Sequence, residues 1–239
     1  MQNRQQLSGY VLHKRPYRET SMLVDFFSLE YGRVSAVAKG ARGNSKSDRK
    51  SLLQPFQKLE FELSGRSQLK SLGRVEALQS ATMVKQTGLY CAFYINEILS
   101  RALPEAEPIA EVFTHYEKTL RLIVNVENNE LSVFEPILRE FELTLLLALG
   151  YLPDFSYDAT SGDRITELEY YAFDPQTGFS NCHPQAKRAI KGEYILAIAQ
   201  GNYGHTSEAA IKQAAKYICR IALVEVIGEK PIKSRELFT

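Results

Sequence analysis

Along residues 8–80, apolar and polar positions alternate with the two-residue period of half-buried strands. Gly9–His13 is a short run, Ser21–Ser28 (SMLVDFFS) is rich in β-forming residues, and Val34–Ala38 alternates small and branched side chains. Leu59–Leu63 (LEFEL) alternates strictly between apolar and acidic residues, and Leu69–Leu78 is a weaker fifth strand. Turn signals at Arg15-Pro16, Tyr31-Gly32 and Ser64-Gly65-Arg66 separate them. Five short strands in so short a span predict a small antiparallel barrel, because closure removes the exposed edges.

From Thr82 the period becomes helical. Thr82–Leu103 carries Leu89, Phe93, Ile95, Ile98, Leu99 and Leu103 on nearly every side, the mark of a helix at the centre of a bundle. Ile109–Val124 continues as an amphipathic helix with Val112, Phe113, Tyr116, Leu120 and Ile123 on one stripe. In Ser132–Leu149, Ser132 and Glu135 fit a capping box, Gly150 suits the position after the C-cap, and Pro153 prevents continuation. Residues 154–181 are polar and turn-rich, and Glu167–Phe173 with Phe179–Asn181 predict a hairpin. Helices are expected again around Pro184–Gln200 and Ser207–Ile227. The chain therefore reads as a multidomain α+β protein. Its expected parts are a barrel of OB-fold type over 1–80, a helical bundle over 81–153, a polar hairpin region over 154–183, and C-terminal helices over 184–239 packing on the bundle.

Composition adds little until charge is resolved along the chain. The 239 residues carry a net charge of only +1. Residues 1–80 hold 14 basic and 7 acidic side chains, residues 97–174 hold 5 and 16, and residues 175–239 hold 9 and 5. Two basic ends around an acidic middle suggest separate surfaces for separate partners. Three dispersed cysteines (Cys91, Cys182, Cys219) suit no closed disulfide framework. The N-terminus lacks an apolar core of signal-peptide length, and no stretch has the apolar length of a membrane span. These features predict a soluble cytoplasmic protein.

The most informative chemistry lies in Val37–Phe56 (VAKGARGNSKSDRKSLLQPF). Lys39, Arg42, Lys46, Arg49 and Lys50 face a single acid, Asp48, in a tract too poor in apolar residues to bury itself. Such a tract is solvated or bound to an anion, and its glycines allow close approach to phosphate. On an OB barrel, which binds nucleic acid across one face and its loops, these five are the first candidate phosphate contacts. Arg15, Arg33, Arg66 and Lys70 come next. Tyr10, Tyr17, Phe26, Phe27, Tyr31 and Phe56 interleave with the basic residues; some of these rings could stack bases, but more of them must fill the barrel. Lys212, Lys216 and Arg220 share one face of the last helix, either as a solvated stripe or as a second basic surface. No P-loop, GxGxxG or HExxH is present, and neither Cys182 nor His183 belongs to a metal-ligand pair. Neither enzyme chemistry nor a cofactor is expected.

Several strings, in order, resemble the RecO family of bacterial DNA-repair proteins. They are Arg15-Pro16-Tyr17 with Glu19-Thr20-Ser21, Gly32-Arg33-Val34, Val37-Ala38-Lys39-Gly40-Ala41-Arg42 and Gln54-Pro55-Phe56. Tyr94–Arg101 (YINEILSR), Leu138–Leu143 (LREFEL) and Gly228–Phe238 (GEKPIKSRELF) extend the likeness to the C-terminus. The resemblance implies an OB-fold and a helical domain, binding of single- and double-stranded DNA, and annealing of complementary strands. Partners would be the single-stranded-DNA-binding protein SSB and the ring-forming RecR, with which the family helps load RecA. Many relatives carry a four-cysteine zinc site after Leu-Gly-Tyr-x-Pro, whereas here no cysteine follows Leu149–Pro153 before Cys182, so the zinc-less branch is expected. The resemblance also implies capture of the acidic SSB tail by an arginine beside an apolar pocket. Arg139, in the matching motif, and Arg101 are the candidates, the alternative for each being an ion pair with a neighbouring glutamate. A second reading of the whole chain is an OB-fold adaptor on RNA, since a basic barrel serves either polymer. An unrecognised catalytic site at Cys182 or His183 is a third.

Overall fold

The computed structural model describes residues 5–42, 49–79, 83–203 and 209–238. The chain divides into two compact units, residues 1–127 with 232–239, and residues 128–231. The fold is α+β, with a closed five-stranded barrel of OB type, helices, and a small hairpin.

In the first unit, β1 (Gln5–Tyr17), β2 (Ser21–Ser28), β3 (Gly32–Ala38), β4 (Lys58–Ser64) and β5 (Lys70–Ala77) close in the order β1-β2-β3-β5-β4. β1 closes the barrel by pairing twice, Gln5–Tyr10 with β4 and Gly9–Tyr17 with β2. At the crossing, a Cβ on Gly9 would lie 2.2 Å from the Phe27 carbonyl oxygen, so only glycine fits. The pattern marks only Gly9–His13 of this strand because Lys14-Arg15-Pro16 interrupts the apolar run. Those residues nevertheless pair with Val24, Leu23 and Met22. Phe26 and Phe61 stack at 4.2 Å inside, among Leu7, Val11, Val24, Val34 and Leu59.

A one-turn helix, α1 (Arg49–Leu52), delivers Leu53 to the barrel core and Phe56 to the ring of Phe93, 5.2 Å away. Phe93 belongs to α2 (Gln86–Ala102), which is followed by α3 (Ala110–Asn125). Tyr10 and Phe27 leave the barrel on its outer side and pack edge-on or tilted against Phe113 and Tyr116 of α3. Both faces of β1 and β2 are therefore buried there, which explains the consecutive apolar residues Tyr10-Val11-Leu12 and Phe26-Phe27. The chain end returns as a 3-10 turn, Lys233–Phe238. The Glu97 carboxylate of α2 accepts the backbone N–H groups of Lys233 and Ser234 at 2.9 and 2.8 Å, and Phe238 packs edge-on against Tyr90.

The second unit contains α4 (Leu131–Ala148), β6 (Tyr170–Asp174), β7 (Gly178–Asn181), β8 (Ile190–Lys191), α5 (Gly192–Ala199) and α6 (Ala209–Ile227). The expected hairpin is β6–β7, joined by β8 on the other side of β6. α4 ends as its sequence predicts. Gly150 has φ 75°, and the N–H groups of Gly150 and Tyr151 donate to Leu147 and Leu146. Its start differs. The N-cap is Glu130, whose carboxylate accepts the Ser132 hydroxyl at 3.5 Å but caps no helix N–H, and Ser132 lies inside the first turn, so the capping box does not form. The helix expected over 184–200 is confined to Gly192–Ala199, because Ile190 gains burial as a strand residue opposite Tyr171. α6 buries Ile211, Ala214, Ala215, Ile218 and Ala222, together with Cys219.

Candidate nucleic-acid interface

The outer face of β1-β2-β3 carries the basic residues in register. Residues paired across an antiparallel ladder share a face, and every second residue returns to it. His13, Asp25 and Ser35 therefore form one row, Arg15, Leu23 and Val37 the next, and Tyr17 and Ser21 a third. Lys39 follows β3 on the same alternation. The first row is internally satisfied, since the Ser35 hydroxyl donates to Asp25 at 2.5 Å and His13 Nδ1 stands 3.9 Å from the same carboxylate. In the other two rows Arg15 and Lys39 are exposed.

Arg42 is also exposed and is fixed to this end of the barrel by two bonds. Its backbone N–H donates to Thr20, and its Nη1 donates to the Arg18 carbonyl at 3.1 Å. Arg18 sits in the β1–β2 turn at φ 52°, with its guanidinium carbon 5.3 Å from the centre of the Tyr17 ring. Tyr17, Arg18, Glu19, Ser21, Val37 and Lys39 border an open groove of about 680 Å³. Lys50, exposed on α1, lies close enough to Lys14 that, after burial, its charge is the second influence lowering the Lys14 pKa. Lys14 itself donates to Leu53 O and Gln54 Oε1 at 2.8 and 3.0 Å, tying the segment after α1 to β1.

Of the candidates read from the sequence, Arg15, Lys39, Arg42 and Lys50 are exposed around this end. Lys46 lies outside the described residues, as does the side chain of Arg49, whose backbone opens α1. Arg66 is exposed in the β4–β5 loop, and Lys70 holds its ammonium 5.8 Å from the Tyr31 ring centre and 3.3 Å from Gly65 O. Arg33 is the exception. It is half-buried, and its Nε donates at 2.8 Å to the carbonyl of Leu103, the residue that caps α2. The last carbonyls of a helix lack intrahelical partners, and this guanidinium supplies one. That bond joins barrel to helix.

The rings divide in the same way. Tyr10, Phe26, Phe27 and Phe56 are buried, Tyr31 packs against the barrel core, and Tyr17 alone of the six borders the groove. Arg18 is one of the basic residues that interleave with these rings in the sequence, but it was not ranked among the candidate contacts. The signal available for it was its place directly after Arg15-Pro16-Tyr17, a turn whose tip must face water.

The two arginines proposed for the SSB tail belong to different compact units. Arg101 is half-buried and stands 3.5 Å from Glu97, one helical turn away. Arg139 of α4 is 13% exposed and ion-paired to Glu142, whose side chain is fully buried. Cys219 of α6 abuts this pair; burial first, then the Glu142 charge, pushes its thiol well up. On α6, Lys212, Lys216 and Arg220 are all exposed, and Lys216 pairs with Glu135 of α4 at 2.8 Å. Among the described residues, no three His, Cys, Asp or Glu side chains are grouped as a metal site requires. No described helix is long and apolar enough to cross a membrane.

Comparison with known proteins decides what this barrel-and-helix chain is related to. Residues 1–81 match the family model for the N-terminal part of recombination protein O, and residues 87–236 match the model for its C-terminal part. The chain belongs to the RecO family. It is 46% identical over 238 residues to the DNA repair protein RecO of Pseudoalteromonas atlantica, covering 98% of this chain and 94% of that protein. It is 44% identical over 238 residues to DNA repair protein RecO of Alteromonas mediterranea, covering 99% and 97%. A Haemophilus influenzae DNA repair protein RecO is 41% identical over 231 residues, covering 97% and 94%. Membership places this RecO-family chain in DNA repair and recombination, and the basic end of its OB barrel is the natural place to look for the nucleic acid.

Proposed function

We propose that this RecO-family chain works on DNA in the cytoplasm, at the nucleoid. It binds single and double strands, anneals complementary strands including those coated with SSB, and acts with RecR to load RecA. The observation that carries this reading is the exposed cationic rim of Arg15, Arg18, Lys39 and Arg42 at one end of the barrel. Annealing makes and breaks no covalent bond. It needs phosphates neutralised so that two strands can approach, and bases left free to pair. A rim of exposed Arg and Lys side chains provides the first without reading sequence. Lys50, and Lys46 and Arg49 beside it in sequence, extend the same charge, while Arg66 and Lys70 offer further contacts on the β4–β5 side. On α6, Lys212 and Arg220 offer a second basic surface, for DNA or for RecR.

SSB enters this scheme through its acidic tail. Arg139 is the proposed anchor, with Arg101 the alternative. Binding there would bring the tail carboxylate to a guanidinium that Glu142 already holds in a fixed orientation.

Annealing of complementary single strands, naked and SSB-coated, tests the proposal. Wild type is expected to anneal both, and the Arg15→Ala/Lys39→Ala/Arg42→Ala triple variant to lose the naked reaction. If wild type anneals neither, or if RNA of equal length displaces DNA from it at lower concentration, the DNA-mediator reading fails.

A further inference from the structure

The barrel presents one aromatic ring in a position that charge neutralisation does not explain. Tyr17 is half-buried at the end of β1 and borders the open groove, whose floor includes the apolar side chain of Val37 on the same face. The groove's volume, about 680 Å³, falls within the roughly 300–1,000 Å³ common for ligand clefts. Its rim is mixed. Arg18 and Lys39 are cationic and can meet phosphates at the edge, while the acidic Glu19 makes the interior better suited to an uncharged ring than to a phosphate. Arg15, in the row beside Tyr17, and Arg42, bonded to the Arg18 carbonyl, supply cations immediately outside it.

We propose that this groove is a nucleobase-stacking subsite, in which Tyr17 takes the face of one base of a single strand. Arg18 closes over the ring pair from the rim, and the strand's phosphates run along Arg15, Lys39 and Arg42. The inference rests on the reading of this barrel as a DNA-binding surface and adds which part of the polymer each residue meets. Stacking on one ring tolerates every base, so the subsite fits an activity that must not read sequence. It also selects single strands, because the bases of a paired duplex are stacked on one another and their faces are not offered. Arg18, at φ 52° in the turn, already holds its guanidinium carbon 5.3 Å from the centre of the Tyr17 ring.

The test separates base from backbone. Fluorescence anisotropy would compare a labelled single-stranded oligodeoxynucleotide with an abasic deoxyribose-phosphate strand of equal length, across a salt series. Wild type is expected to bind the base-bearing strand about tenfold more tightly, the scale of one stacking contact. Tyr17→Leu, which keeps apolar volume without a π-face, should erase that preference and leave the salt slope unchanged. Tyr17→Phe should retain both. Equal affinity of wild type for the two strands would overturn the subsite while leaving the DNA-binding surface intact, as would a full preference surviving in Tyr17→Leu. Binding to neither strand would overturn the surface and the subsite together.

Discussion

The Asn96 side-chain amide donates to the Leu12 carbonyl at 3.1 Å, across the point where β1 bulges between Val11 and His13. A bulge leaves backbone groups without ladder partners, and Asn96, 2% exposed in α2, satisfies this one and reaches the Val11 carbonyl at 3.3 Å. Its own oxygen accepts the Tyr116 hydroxyl of α3 at 2.7 Å, so one side chain ties barrel, α2 and α3. Asn96→Leu should therefore destabilise the protein by about 2 kcal/mol, and Tyr116→Phe by about 1 kcal/mol. Denaturant unfolding of both single variants and the double variant measures this. The double variant should cost less than the sum, because the two residues share a bond. Strict additivity would show that the network is not acting as one.

Arg33 and Arg42 offer a contrast between an arginine bonded to a helix-end carbonyl and an exposed one proposed to meet DNA. Removing an exposed phosphate contact should lower the log–log salt slope on single strands by about 0.7 and leave stability nearly unchanged. That is the expectation for Arg42→Ala. Arg33→Ala should instead leave the Leu103 carbonyl without its charged donor and cost about 1.5–3 kcal/mol of stability, with the salt slope intact. Salt titrations of binding, paired with thermal melts, distinguish the two. If the effects fell the other way round, the assignment of the barrel's basic end would be wrong.

The difference between these arginines marks the limit of what the chain's pattern can reveal. Strand positions were legible where burial on one face imposes a period of two, as in Leu59–Leu63, whose Leu59, Phe61 and Leu63 are buried and whose Glu60 and Glu62 are not. Ser21–Ser28, with the same bounds in the structure, was legible from its β-forming residues. Lys39 and Arg42 were legible because their segment has too few apolar residues to bury. Arg33 carries the same charge in a similar local setting, and its partner is a helix-end carbonyl 70 residues away that no local pattern discloses. Burial of Tyr10 and Phe27 against α3 was hidden for the same reason, since it depends on which barrel wall a later helix covers. The short strand at Ile190 looked helical because two residues are too few to show a period. Its identity comes from pairing with Tyr171.

Asp158 should govern part of the acid stability of the second unit. The residue is 4% exposed, and burial alone disfavours its charge. Backbone N–H groups of Thr160, Ser161 and Asn181 donate to the carboxylate and outweigh that, holding its pKa below the ordinary 3.8. A group depressed in the folded state stabilises fully above its unfolded value, and the contribution disappears as pH falls through the folded value. Asp158→Asn should therefore lower the unfolding midpoint at neutral pH and flatten its decline between about pH 5 and pH 2. A variant whose midpoint tracks wild type in parallel through that range would remove Asp158 from the account.

Arg139 must be tested with its partner in mind. Glu142 is fully buried, and removing one member of a buried ion pair commonly costs about 3–5 kcal/mol because the remaining charge is left uncompensated. Arg139→Ala alone should therefore unfold at markedly lower temperature, and any loss of SSB-tail binding in it would be uninterpretable. Arg139→Met combined with Glu142→Gln removes both charges at similar volume and should recover most of the stability, since such replacements are often near neutral. Thermal melts then establish folding, and anisotropy of a labelled SSB-tail peptide reads binding. Loss of the peptide by the stable double variant, with retention by Arg101→Ala, identifies Arg139 as the tail's anchor. Retention by the double variant leaves the Arg139–Glu142 pair a purely structural clamp of α4 and turns the search for the tail site to Arg101.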